Sequence, residues 1–412
     1  MKRTTAILLL SAPLLHAGSQ AGPISTAPAG GGDWLKPLVD IRARYEYADI
    51  DAFDVSQAFT TRERIGFKTT AWNGLSLLIE GEFTQALMDD YDGGAKQANP
   101  VDAANSGIFD PETNELNQAY LQYEGMGNVV RFGRQRIIYD NAAFIGNVGW
   151  RQNEQTYDGV SLTNKSIPGL TLNAAWIGQV NRIFGSDSDD VLTPTYSNVQ
   201  DIQSQIQLVN LSYTGIKGWT LGSYAYIMNF ENYSAWDNNT FGASAKTTVG
   251  GVTLYGELAW QDKASTTGEE EACYYHATAS RDVVPGKAAC GNVIVGVEHL
   301  DAGFKTPLAT VHAFNGFADV TDKARINGSH NGLTDVYVGH TVPVFYGMKW
   351  SNTLHAMGDN EISTGYGWEI DSVLTKKFDD HFTALAKLAW FESEGDAYAG
   401  ATTLADALRF SV

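Results

Sequence analysis

The 412-residue sequence predicts an all-β fold, a transmembrane antiparallel β-barrel of about 18 strands with short periplasmic turns and long extracellular loops. Three observations carry this reading. Segments of alternating apolar and polar residues follow one another along most of the chain. Tight glycine turns take turns with long polar connections. The composition is rich in glycine (42) and aromatics (11%), poor in charged residues (18%), and holds only two cysteines. That profile suits an outer-membrane barrel better than a disulfide-stapled secreted domain.

The chain opens with Lys2 and Arg3, the apolar run Ala6–Leu15, and small residues, the pattern of a secretory signal peptide. Ser19-Gln20-Ala21 fits small-x-small cleavage, so 1–21 is read as the signal peptide. Residues 22–37 are read as a periplasmic leader and 38–412 as the barrel. The apolar run is too short for a spanning helix, which needs about 20 residues, and no later segment supplies one.

Strands are expected near 38–48, 60–70, 75–87, 116–124, 129–138, 155–163, 170–180, 203–214 and 219–230. They continue near 240–247, 252–261, 273–282, 291–300, 333–342, 347–357, 365–377, 382–392 and 405–412. An even number returns both barrel ends to the periplasmic side. The short turns include Trp72-Asn73-Gly74-Leu75, Gly125-Met126-Gly127-Asn128, Ile167-Pro168-Gly169-Leu170 and Val249-Gly250-Gly251-Val252. Glycine there supplies the positive φ of a tight turn. The long connections, 88–115, 139–154, 181–201, 262–272, 301–332 and 393–404, are expected outside. The 301–332 segment is long enough to fold inward and narrow a pore.

Cys273 and Cys290 bear on the strand count. A disulfide between them would merge 262–291 into one loop and leave 17 strands. A strand at 273–282 would hold them apart by ten residues at ~3.3 Å each, beyond disulfide reach. The second reading is favoured.

Basic residues recur at alternate positions in the first strands: Arg42 and Arg44, then Arg62, Arg64 and Lys68. Ile41, Tyr45, Ile65 and Phe67 have the opposite parity. A base on the lipid face costs roughly 2–4 kcal/mol at the bilayer midplane, so these bases are assigned to the lumen. Arg131 and Arg134 are assigned with them, and Arg151 joins from the loop tip. Glu46, Glu63, Glu80, Glu82 and Glu124 are near enough in sequence to pair with some of them. A cationic stripe in a watery lumen would favour anionic solutes; an Arg–Glu ladder that only fills the interior is the alternative.

The formal charge of −19 argues against a nucleic-acid partner. Acids such as Asp187, Asp189, Asp190 and Glu269–Glu271 fall in expected external loops and read as solvated faces. The eight histidines show no zinc-ligand spacing, and no phosphate loop or GxSxG elbow occurs. The chain is therefore read as no enzyme, with no cofactor and no metal. His299, His312 and His355 are read as rim or lumen residues.

The stretch GRQRIIYDNAAFIGNVGWRQNEQTYDG (133–159) and the stretch GFKTPLATVHAFNGFAD (303–319) together resemble the signature of the alginate-export family of outer-membrane barrels. The resemblance implies an eighteen-stranded barrel with an arginine-lined constriction. It singles out Arg134, Arg151, Asn141, Asn147, Gln152 and Asp158 in the first block, Arg131 two residues before it, and Pro307 and His312 in the second. One departure is plain: where the family commonly reads Asn-x-Arg-Phe, this chain has Asn141-Ala142-Ala143-Phe144. The expected function is an outer-membrane channel passing anionic solutes or an exopolysaccharide. A general diffusion porin and a barrel-borne adhesin or enzyme are the alternatives. The expected partners are anionic oligo- or polysaccharide or small anions, outer-membrane lipid and lipopolysaccharide, and a periplasmic secretion scaffold.

Overall fold

A computed structural model describes residues 34–94, 100, 102–185, 201–231, 233–263, 271–284, 290–329, 331–361, 364–394, 397–398 and 402–412. The expected signal peptide, most of the leader and the acids at 187–190 lie outside them. The strands are β1 (Leu35–Ile50), β2 (Ser56–Thr69), β3 (Leu75–Asp90), β4 (Thr113–Gly125), β5 (Asn128–Gln135) and β6 (Thr156–Asn164). Then come β7 (Leu170–Asn181), β8 (Ile202–Tyr213), β9 (Trp219–Met228), β10 (Asn238–Val249), β11 (Val252–Asp262) and β12 (Glu271–Asp282). The last six are β13 (Asn292–Leu300), β14 (Leu333–Pro343), β15 (Lys349–Gly358), β16 (Gly365–Lys377), β17 (Thr383–Ser393) and β18 (Ala407–Ser411).

Each strand pairs antiparallel with the next, and β18 closes the ring: Ser411 stands opposite Lys387 on β17 and Glu46 on β1. The eighteen expected strands are all present. β1 starts at Leu35, inside the expected leader. Cys273 sits in β12 opposite Trp260, and both cysteines are free, so the strand reading of 273–282 holds.

The turns explain the register. Asn73 and Gly74 (φ 49° and 86°), then Met126 and Gly127 (φ 53° and 76°), are consecutive positive-φ pairs. Two such residues give the tight hairpin whose twist matches that of its strands. A side chain at 74 would also press on the Glu124 carbonyl at 2.4 Å.

The outward face is apolar, with Ile41, Phe132 and Leu258 each 67% exposed. Exposed aromatics gather at both ends of the wall: Trp34, Trp72, Phe345 and Phe378 at the short-turn end, Trp176, Trp260 and Trp390 at the other. An apolar band between aromatic girdles is the surface a bilayer requires.

The largest hydrophobic core lies inside the barrel. Phe144 packs against Tyr224, Tyr274 and Phe304 at ring distances of 5.2, 5.2 and 6.1 Å. This overturns one expectation: the 139–154 connection does not stand outside but folds into the lumen, as 301–332 also does. Apolar side chains such as Ile145, Leu308 and Phe314, buried to 2% exposure or less, drive both loops inward. The second loop also carries a six-residue helix, α1 (Asp322–Asn327), where no helical period was expected.

Candidate functional site

The two inward loops are joined to each other and then fastened to the wall. Ile145 and Leu308 form a parallel bridge, and Gly146 N–H donates to the Leu308 carbonyl at 2.8 Å. Pro307 is buried beside that bridge. Val148 N–H donates to Thr310 Oγ1, and Thr310 N–H to the Ala142 carbonyl, both at 3.0 Å. Ala143 stands where the family carries a base; its carbonyl accepts from Arg325 of the other loop.

The amide-rich tip of the first loop is used up in this fastening. Gln152 donates to Thr60 on β2 at 2.8 Å. Asn153 donates to the Pro111 and Ile183 carbonyls at 2.9 Å and accepts from Thr84 and Thr113. Asn147 donates to Glu154 at 2.7 Å, Gln155 to the Tyr157 hydroxyl at 2.8 Å, and Asn141 Oδ1 accepts from Ala143 N–H at 3.1 Å. Buried amides need such partners, and a glutamine- and asparagine-rich tip supplies them.

The arginines divide into two sets. Arg44, Arg62, Arg64 and Arg151 are buried against carboxylates. Arg44 pairs with Asp110 and Glu46, Arg62 with Asp40, and Arg64 with Glu82 and Glu154. Arg151 reaches Glu46 at 3.2 Å and Asp319 at 2.6 Å. Burial alone would raise the Glu154 carboxyl, but Arg136 and Arg64 more than offset it and hold it well below the usual range. The same balance at Asp319, with His312 and Arg151, gives the same direction.

The second set is partly open. Arg42 donates to the loop carbonyls of Trp150, Arg151 and Gly149 at 2.9, 3.0 and 3.2 Å and stays part-exposed. Arg131 donates to Gln122 at 2.9 Å with its guanidinium 5.0 Å over the Tyr120 ring. Lys68 is half-buried on the inward face of β2, and Arg136, just past β5, pairs with Glu154.

The strand register adds a feature of its own. On the inward face Arg42 stands directly opposite Arg62, and Lys36 directly opposite Lys68. Like charges directly opposite on one face oppose sheet pairing.

Two residues fall elsewhere than expected from the sequence, which puts Arg134 in the lumen and Glu63 near enough to pair with the lumen bases. Arg134 shares the outward face of β5 with Phe132 and forms a two-point pair with Asp158, at 2.8 and 2.9 Å. Glu63 lies between Ile41 and Phe83 on the outward face of β2, since Arg62 and Arg64 point inward. It pairs with none of the lumen bases.

His312 is the pin of the assembly. Its Nδ1 meets Asp319 at 2.5 Å, its Nε2 meets Lys387 Nζ of β17 at 2.7 Å, and its ring stacks on Trp150 at 4.7 Å. Burial lowers its pKa to about 4, against the pull of Asp319, with Lys387 pushing the same way as burial. Lys387 also sits 3.5 and 3.7 Å over the Trp150 and Phe317 rings. On the far wall the second loop is held by Glu298, which accepts from Asn315 and Arg325 at 2.9 and 3.0 Å, and by Glu369, which accepts from Ala318 N–H at 2.8 Å. His355 bridges Asp335 at 2.8 Å and Asp371 at 3.5 Å there, while His299 stacks on Tyr275 near the loop end of β13.

Sequence reasoning missed Lys387, Arg409 and Asp110. Strand alternation carried a signal for the first two. Leu388 and Trp390 point outward and leave Lys387 inside; Leu408 and Phe410 do the same for Arg409, which donates to Glu46 and the Ala318 carbonyl. Asp110, in a loop, had no such marker.

This geometry defines a bacterial outer-membrane β-barrel of porin-like architecture with a loop-filled lumen. Residues 33–177 match the family described as alginate export, the family that the two sequence blocks resemble. No curated protein matches the chain. Solved structures of similar fold include OpdK of Pseudomonas aeruginosa with vanillate, at TM-score 0.64 and 14% identity over 91% of this chain and 97% of that one. OccK9 (OpdG) of the same organism gives 0.63 and 14% over 92% and 97%. OccAB1 of Acinetobacter baumannii gives 0.65 and 8% over 94% and 98%. At these identities the likeness is one of fold.

Proposed function

We propose that this barrel is an outer-membrane diffusion channel for small anionic solutes, above all carboxylates. The observation that carries the reading is the pair of like-charge oppositions on the β1–β2 hairpin, Arg42 with Arg62 and Lys36 with Lys68. An interior built only for stability would alternate signs there. With Arg131 on β5 and Arg136 just past it, across β3 and β4, the open bases Lys36, Arg42 and Lys68 form a track along one wall beneath the inward loops. A carboxylate moving along it would exchange hydration for guanidinium and ammonium contacts at each step. Arg44, Arg64 and Arg151, neutralised and buried, serve to hold the loops, and Arg62, buried against Asp40, braces the wall.

The loops bear on solute size. The first and second loops share one hydrophobic core with inward residues of β6–β9 and β11–β18, and none of its buried members lies on β1–β5. A passage left beside such a plug suits a monosaccharide acid or an aromatic acid better than a polymer. Vanillate, the aromatic carboxylate in the OpdK structure, is of that size. Export of an anionic polysaccharide is the second reading, favoured by the alginate-export match over 33–177. It requires the plug to move aside.

Proteoliposome swelling tests the proposal. Barrel-loaded liposomes should swell faster in benzoate than in benzylamine of like size, and substitution of Lys68 and Arg131 by alanine should remove the difference. Equal rates for the two solutes in the wild type would refute it.

A further inference from the structure

Glu63 is a carboxylate on the lipid side of the wall. It lies seven residues from the start of β2 and six from its end, about 13 Å along the strand from the outward Phe59. Other charged side chains on that face, such as Asp49, Arg134, Asp262, Arg281 and Glu392, stand within two residues of a strand end, where water or headgroups reach them.

The register shows what surrounds Glu63. Ile41 lies on one side, then Phe83 and Asn114 on the other, all outward. Thr61 and Gln85 form the next row toward the loop end. Gln85 and Asn114 are exposed. The patch therefore combines one acceptor-only carboxylate with two amide donors and a hydroxyl, inside a ring of Ile41, Ile65, Phe83 and Leu116. Hydrocarbon can satisfy neither Glu63 nor the Gln85 amide, while Asn114 stands one residue from the start of β4.

We propose that the outer wall of β1–β4 is the interface between two copies of this chain in the membrane. The occupant follows from complementarity. The patch holds both what Glu63 needs and what the amides need, but on different strands of one wall. A second copy related by a two-fold axis near Phe83 brings its Asn114 and Gln85 amides to Glu63 and receives the same in return. An isologous contact of this kind is self-complementary by symmetry, and hydrogen bonds between side chains are a usual adhesive of membrane interfaces. The aromatic and aliphatic ring around the patch supplies the packing.

Cysteine cross-linking of the full chain in native outer membranes tests this. In a Cys273→Ser/Cys290→Ser background, Phe83→Cys reports the proposed axis and Val295→Cys, outward on β13, reports random collision. Both sites face outward, so heat-modifiable gel migration verifies that each barrel folds. The interface predicts an oxidised dimer band for Phe83→Cys, little for Val295→Cys, and a several-fold lower yield when Glu63→Leu is added. Equal yields at the two sites, no band at Phe83→Cys, or a yield indifferent to Glu63→Leu would each overturn the proposal. A monomer mass for the wild type in native mass spectrometry after mild extraction would do the same.

Discussion

Arg44 shows what a lumen charge does when it is not free to meet a solute. It is 3% exposed, sits against Asp110 and Glu46, and donates to the Trp150 carbonyl at 2.6 Å. Removing one member of a buried pair leaves the other charge uncompensated, at a cost of about 3–5 kcal/mol. Arg44→Ala is therefore expected to lower the urea midpoint of the folded barrel in detergent, whereas Lys68→Ala, on a half-buried side chain, should move it little. Equal midpoints for Arg44→Ala and the wild type would remove the clamp role. His312 gives the pH counterpart. Its folded pKa is depressed to about 4 from an ordinary value near 6.5. A depressed histidine favours its neutral form in the docked loops, so docking is strongest above about pH 6.5 and weakens as pH falls toward 4. The linkage is on the order of 3 kcal/mol. The groups that face it give the same sign: a protonated His312 would lose the hydrogen bond from Lys387 and repel it, while Asp319 is already shared with Arg151. Single-channel recordings should show a rising, noisier conductance between pH 6.5 and 4, and His312→Asn should flatten that dependence.

At the scale of the element, the strands were legible and the loops were not. A strand announces itself twice, by two-residue alternation and by the glycine turn that ends it. Hence each of the eighteen strands lies close to its expected place, and Lys68, Arg42 and Arg62 fall on the inward face as their parity requires. Alternation was also sufficient for Glu63 and Arg134, had it been applied to every charged residue instead of to the bases alone. Loop direction has no comparable period. Phe144, Ile145, Phe304 and Leu308 were nevertheless a signal: apolar residues in a connection need cover, and the lumen is where they find it. Because the two loops share a core and the Ile145–Leu308 bridge, they should act as one plug. Replacing 305–327 by a short glycine-serine linker is expected to raise conductance several-fold and to loosen the first loop too. Faster proteolysis near 139–154 in that variant would register the loosening. A conductance unchanged by the deletion would mean that the second loop does not narrow the passage.

At the scale of the whole molecule, the proposal sets a cationic wall inside an acidic chain. The net charge of −19 says nothing of the lumen, because local placement decides what a permeating ion meets. What the sequence resemblance left open, polymer against small solute, turns on how much of the lumen is filled, a property of packing that no motif encodes. Ion selectivity is decided by the reversal potential of the refolded barrel in a planar bilayer under a potassium chloride gradient, for the wild type and for Arg42→Ala/Lys68→Ala/Arg131→Ala. A chloride-selective potential is expected for the wild type, collapsing toward zero in the triple variant. A cation-selective wild type, or a chloride selectivity that survives the three substitutions, would contradict it.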